Sequence, residues 1–138
     1  MAMYLNAVLA VAAALTLACR ASAQDVSFGQ RLFLDKADCQ FCHGPEGDGR
    51  GDPRSPGKAS NLRKTLLPRE QLIEVVTCGR TGTEMPYFDK FAYEDRKCRG
   101  LSEADLGKDM PPVPHSTSLA PREIAAVVDY ILVKLVGQ

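Results

Sequence analysis

An all-α fold of three main helices joined by long loops is what the sequence predicts. Three observations predict it: three stretches space their apolar residues for a helix, no β-run of comparable strength occurs, and the connections are rich in Gly and Pro. The 138 residues, 45% hydrophobic and 25% charged, suffice for one core and leave no room for a second domain. Seventeen Lys plus Arg balance seventeen Asp plus Glu, which argues against a nucleic-acid binder that neutralises phosphates by bulk charge. The hydrophobic content equally argues against an acidic disordered chain.

The first 23 residues read as a secretory signal peptide, with residues 24–138 as the single domain of the mature chain. Leu5 to Ala18 is almost wholly apolar, and Ala21-Ser22-Ala23 has the small-x-small form of a cleavage site. The run of 14 residues is short of the roughly 20 needed to span a bilayer, so no membrane span is expected in the mature form. Two alternatives stay open. No Lys or Arg precedes the run and Arg20 follows it, which suits an uncleaved anchor; Cys19 after Ala18 allows lipidation. Cleavage removes Arg20 and no acid, leaving sixteen bases against seventeen acids and a net charge of −1. It also removes Cys19, so that Cys39, Cys42, Cys78 and Cys98 enter an oxidising, periplasmic compartment.

Val26 to Lys36 reads as the first helix, and Cys39-Gln40-Phe41-Cys42-His43 follows it as a C-x-x-C-H pentapeptide, the attachment signature of c-type haem. Two thiols three positions apart can add to the two vinyl groups of one porphyrin edge, and the adjacent His43 then serves as proximal iron ligand. One covalently held haem c would also give a small domain extra apolar surface to pack on. Two other chemistries use the same atoms. A thioredoxin-like dithiol needs a strand before Cys39, where a helix is read, and a four-Cys zinc site wants a second close pair, whereas Cys78 and Cys98 are 20 apart.

Residues 44–61 read as a loop, one of whose backbone carbonyls, near Pro53 or Pro56, is expected to accept a hydrogen bond from the free ring nitrogen of His43. Pro68 to Thr77 is the second main helix, with Pro68 as its first residue, Leu72, Val75 and Val76 inward, and Gly79 past its end. Met85 then precedes Pro86, Met110 precedes Pro111, and His115 follows; any of the three could complete the coordination of an iron. Cys78 and Cys98 flank Met85 and are either a disulfide closing a 20-residue loop or two free thiols.

Between Phe88 and Ser118, Ser102-Glu103-Ala104-Asp105 has capping-box form for a short helical turn, and Met110 to Pro114 reads as extended. Tyr87, Phe88, Phe91 and Tyr93 read as cover for the cofactor or core. Residues 44–64 carry Arg50, Arg54, Lys58, Arg63 and Lys64 against Glu46, Asp48 and Asp52, a local excess that would steer an acidic partner. In the closing helix, Ile124, Val127, Val128, Ile131, Leu132, Leu135 and Val136 form a helical stripe, with Ser118 or Leu119 near the start and Pro121 in the first turn. That stripe is expected to pack on the first helix, with Gly29 letting the backbones approach and Phe33 filling the crossing.

Taken in order, these segments resemble the class I c-type cytochrome family. Gly29-Gln30-Arg31-Leu32-Phe33 is similar to its first helix, His43 to Gly49 to its glycine-rich turn, Thr83 to Phe88 to its Met-Pro segment, and Glu123 to Ile131 to its closing helix. The resemblance implies a cytochrome c fold around one haem, with Met85 as distal ligand. It implies a periplasmic one-electron carrier, not an enzyme, whose partners are a dehydrogenase, an oxidase or a membrane complex. A cytochrome subunit dedicated to one dehydrogenase is the alternative, and a haem sensor or peroxidase a further one that needs a distal ligand able to leave.

Overall fold

A computed structural model describes residues 25–138, and among these it is helical with no strand. The expected leader, with Cys19, Arg20 and the cleavage site, lies outside the described residues. Helix α1 runs over residues 25–36, its last turn Leu32–Lys36 widened to π geometry. It is followed by the single turn α2 (Gln40–His43), a 3₁₀ turn at Leu62–Lys64, α3 (Arg69–Cys78), the short α4 (Glu103–Leu106) with a 3₁₀ turn at Gly107–Asp109, and α5 (Pro121–Tyr130), which a π turn extends over Ile131–Leu135.

The apolar stripes decide how these pack. Helix α5 buries Ile124, Val127 and Val128, and its π turn buries Ile131 and Leu135, against Leu32, Phe33 and Ala37 of the α1 end and Leu72 and Val76 of α3. Gly29 lies so close to α5 that a Cβ there would sit 2.0 Å from the carbonyl oxygen of Ala126 and 2.9 Å from the Cβ of Tyr130. Only a residue without a side chain permits this approach. One turn on, Phe33 is 0% exposed and its ring meets that of Tyr130 with centroids 5.5 Å apart. The anticipated crossing is therefore present, Gly29 at the contact and Phe33 beside it.

Polar contacts fix the helix ends around that core. Arg69 at the start of α3 reaches Asp129 on α5 through two hydrogen bonds of 2.6 and 3.0 Å. Glu123, in the first turn of α5, accepts the N–H of Ala120 at 2.9 Å and pairs with Lys36 at the end of α1. Both contacts favour the ionised carboxylate and hold it below its ordinary value, the Lys36 bond most of all.

Two helix starts differ by small amounts from the sequence reading. Pro68 is extended and caps α3, which begins at Arg69, because its carbonyl accepts the N–H of Leu72 while its own backbone stays outside the helix. Helix α5 begins at Pro121 after an extended Ala120, and Leu119 is taken up elsewhere, its N–H donating to Phe88 at 2.8 Å.

The stretch between Phe88 and Ser118 builds a second, smaller cluster. Cys78 and Cys98 are joined in a disulfide, Cα atoms 5.5 Å apart, and Ala92, Tyr93, Leu106 and Met110 gather around it. Ser102 caps α4, with Asp105 accepting its N–H at 2.8 Å.

Two outcomes follow. Gly29→Ala should destabilise by on the order of 1–3 kcal/mol, since the new methyl group meets backbone that cannot retreat, read as a lower urea midpoint. The folded state holds Glu123 below its ordinary 4.5, so its contribution is complete above that value and is lost as the pH falls through the folded value. Glu123→Gln should accordingly be less stable than the parent near neutrality and lose less stability than the parent between roughly pH 5 and 3 in denaturant titrations.

Candidate functional site

A reversal of the chain after α1 places the pentapeptide. Ala37 N–H closes the π turn on Leu32, and Asp38 adopts a left-handed φ of 49° that turns the backbone back. Cys39 N–H then donates to the Phe33 carbonyl at 2.9 Å and the Gln40 side-chain amide donates to the Leu34 carbonyl at 2.7 Å, so the start of α2 is clamped to the end of α1. On this single turn, Cys39 precedes the helix as its N-cap, and Cys42 and His43 lie within it. The residue spacing C-x-x-C-H thus becomes two sulfurs and one imidazole on one short rigid element.

The following loop folds back over that element. Asp52 N–H donates to Phe41 and Gly49 N–H to His43, each at 2.8 Å. The loop's far end brings the carbonyl of Ser60 to 2.9 Å from Nδ1 of His43. His43 is 9% exposed. Sequence reading placed its partner near Pro53 or Pro56; the structure places it at Ser60, seventeen residues from His43, because the loop must first double back over α2. A backbone carbonyl carries no side-chain signature, which is why residue type offered no pointer to it.

Burial lowers the His43 pKa, with the nearby charge of Arg80 adding to the effect against the Ser60 bond. A neutral ring with Nδ1–H donating to Ser60 leaves Nε2 as the nitrogen that can bind a metal. Burial, then the charge of Asp38, pushes the Cys39 thiol up to about 12, and burial likewise raises that of Cys42. A reactive dithiol needs the opposite shift, towards the thiolate. Zinc is no better served: Cys78 and Cys98 are bonded to each other, and among the described residues no group of three His, Cys, Asp or Glu side chains could hold a metal ion.

Cys39, Cys42 and His43 border a cavity of about 540 Å³. Its walls include Phe33, Leu72, Val76, Phe88, Val127 and Ile131, which come from α1, α3, the following loop and α5. The volume is in the range of sites that enclose a ligand of cofactor size, ~300–1,000 Å³. Met85 borders the same cavity. Its backbone is held at both ends, the N–H donating to Thr83 Oγ1 at 3.2 Å and the carbonyl accepting the N–H of Arg80 at 3.1 Å. Gly79, with φ of 65°, starts this segment where a Cβ would lie 2.7 Å from the Met85 carbonyl oxygen.

Of the other two candidate ligands, Met110 packs into the disulfide cluster and does not border the cavity, while His115 borders it from an exposed position. Lys58, Lys64 and Arg80 stand at the cavity too; the first two belong to the basic stretch noted in the sequence, and Arg80 was not singled out there. Ser116 borders the cavity as well and donates to the carbonyl of Ala37 at 3.0 Å.

These residues fit a haem of the c type. Two thiols, an imidazole with one nitrogen already oriented, a thioether and apolar walls converge on one cavity, and the cations at its border suit acidic substituents. The family described as cytochrome C oxidase, cbb3-type, subunit III matches residues 24–103, more than half of the chain. No curated protein and no solved structure matches. The family implies a haem cofactor and redox partners, and among the described residues no helix is long and apolar enough to cross a membrane. The chain therefore belongs to the cytochrome C oxidase, cbb3-type, subunit III family of c-type cytochromes, and is an electron-transfer protein rather than a catalytic enzyme.

Proposed function

We propose that the chain is a periplasmic one-electron carrier whose single haem is bound covalently through Cys39 and Cys42, with His43 as proximal and Met85 as distal iron ligand. The observation that carries this reading is the convergence of these four side chains on one apolar cavity, with Nδ1 of His43 engaged by Ser60. In this reading residues 1–23 are a secretory leader, and the mature domain is residues 24–138. When bound, the haem supplies a one-electron couple.

The residues divide the remaining work. Cys39 and Cys42 make attachment permanent. Ser60 holds the His43 ring in one tautomer and orientation and makes it a better donor. Met85 contributes a soft thioether, which favours the reduced metal and raises the potential relative to a second imidazole. Two protein ligands leave no place for substrate or oxygen, so function reduces to moving an electron to and from docked proteins. The apolar walls exclude water, and the disulfide cluster beside the Met85 segment limits its movement. The exposed Lys58 and Lys64 would favour an acidic partner surface.

A second reading, a cytochrome subunit held on one larger redox enzyme, is favoured by the matched family's description as an oxidase subunit. Residues 89–118 would then be its docking element. Both readings share the same ligand set.

Replacing the distal ligand tests the proposal. Met85→Ala should convert the holoprotein to a high-spin spectrum and lower its reduction potential, whereas Met110→Ala should change neither. An unchanged Met85→Ala spectrum would remove Met85 as ligand and return His115 to consideration.

A further inference from the structure

One side chain touches both ends of the segment that carries Met85. The segment leaves α3 at Cys78 and reaches Tyr87 just after Pro86. Cys78 is the last residue of α3, so its carbonyl has no partner further along the helix. The Tyr93 hydroxyl donates to that carbonyl at 2.6 Å. The Tyr93 ring meets Tyr87 edge-on, centroids 5.4 Å apart and planes at 84°. Tyr93 is itself anchored, 7% exposed and packed with Ala92, Cys78 and Cys98.

Between these two grip points the hydrogen bonds of the segment are made by backbone groups or by Thr83. Met85 is held through Thr83 and Arg80, Thr83 Oγ1 donates to the Arg80 carbonyl at 2.9 Å, and Gly82 N–H donates to Asp109 at 2.8 Å. The thioether therefore inherits its position from the backbone, and the backbone from its ends. The disulfide secures the Cys78 end alone, since Cys98 lies beyond Tyr87 in the chain and bonds back to the helix. Tyr93 links the two ends through side-chain contacts, beside the backbone hydrogen bonds by which Phe88 and Asp89, just past the segment, donate to the carbonyls of Val76 and Thr77 at 3.0 and 3.3 Å.

We propose that Tyr93 is a positioning residue for Met85, a clasp that keeps the two ends of residues 78–87 together and thereby the thioether in place; the inference rests on Met85 being the distal ligand. Release of Met85 requires this segment to swing outward. Removing the hydroxyl leaves the Cys78 carbonyl buried without its partner and lowers the free energy of that local opening.

Imidazole titration of the oxidised holoprotein reads the opening, because imidazole competes for the place the thioether holds. Tyr93→Phe, which keeps the ring, should bind imidazole about tenfold more tightly than the parent, equivalent to 1.4 kcal/mol. The absorption of the unliganded variant should still show thioether ligation. Parental imidazole affinity in Tyr93→Phe, with only a lower melting temperature, would overturn the proposal and leave Tyr93 a core residue. Should that variant not accumulate as holoprotein, Tyr87→Leu removes the ring contact at the other end and is read the same way. Met85→Ala, titrated in parallel, separates the two claims. Affinity far above the parent supports the ligand assignment, whereas parental affinity overturns that assignment and the clasp with it.

Discussion

The contact on which the structure depends is the crossing of the first helix over the last at Gly29 and Ala126. Bringing two helix backbones within touching distance leaves Phe33 enclosed beside Tyr130 and directs the end of α1 into the domain. From that end the chain must turn at once, and the turn presents Cys39, Cys42 and His43 on one short helix facing the cavity. A shift in the crossing would move the cavity wall formed by Phe33, Val127 and Ile131 together with the element that carries Cys39, Cys42 and His43. The pentapeptide and the core are thus parts of one packing problem, which is a general expectation where a small domain packs around a cofactor.

The two sides of the cavity are held by different means. On the His43 side a long loop doubles back on α2 and presents one carbonyl, so orientation comes from backbone hydrogen bonding over a separation of seventeen residues. On the Met85 side a covalent bond and a compact aromatic cluster brace a short segment. The asymmetry suits the ligand pair proposed above. Imidazole is the stronger donor and needs chiefly to be aimed, whereas a thioether is a weaker one and depends on being kept near the metal.

Much of this was legible from residue pattern. The helical stripe of α5, the glycine at the helix crossing, the pentapeptide and the capped turn at Ser102 each rest on local rules that tertiary contacts did not override. The start of α3 moved by one residue because Pro68 caps rather than begins its helix, and α5 has Pro121 in its first turn as read, with Ala120 rather than Ser118 or Leu119 just before it. Less legible was anything that joins backbone groups over long separations. The Ser60 carbonyl could be anticipated as a kind of partner but not placed, and the bond from Tyr93 to the Cys78 carbonyl had no pattern to announce it. Met85, Met110 and His115 were equivalent as residue types before folding; in the structure Met110 enters the disulfide cluster, while Met85 and His115 stand at the cavity.

Covalent attachment through Cys39 and Cys42 is the claim from which the carrier reading grows, and the mass of the denatured protein tests it most directly. Proteolysis of the unfolded holoprotein should yield a peptide spanning residues 39–43 that carries the mass of one haem and no titratable thiol. A bare peptide with two free thiols, its haem extracted into acidified solvent, would contradict the account.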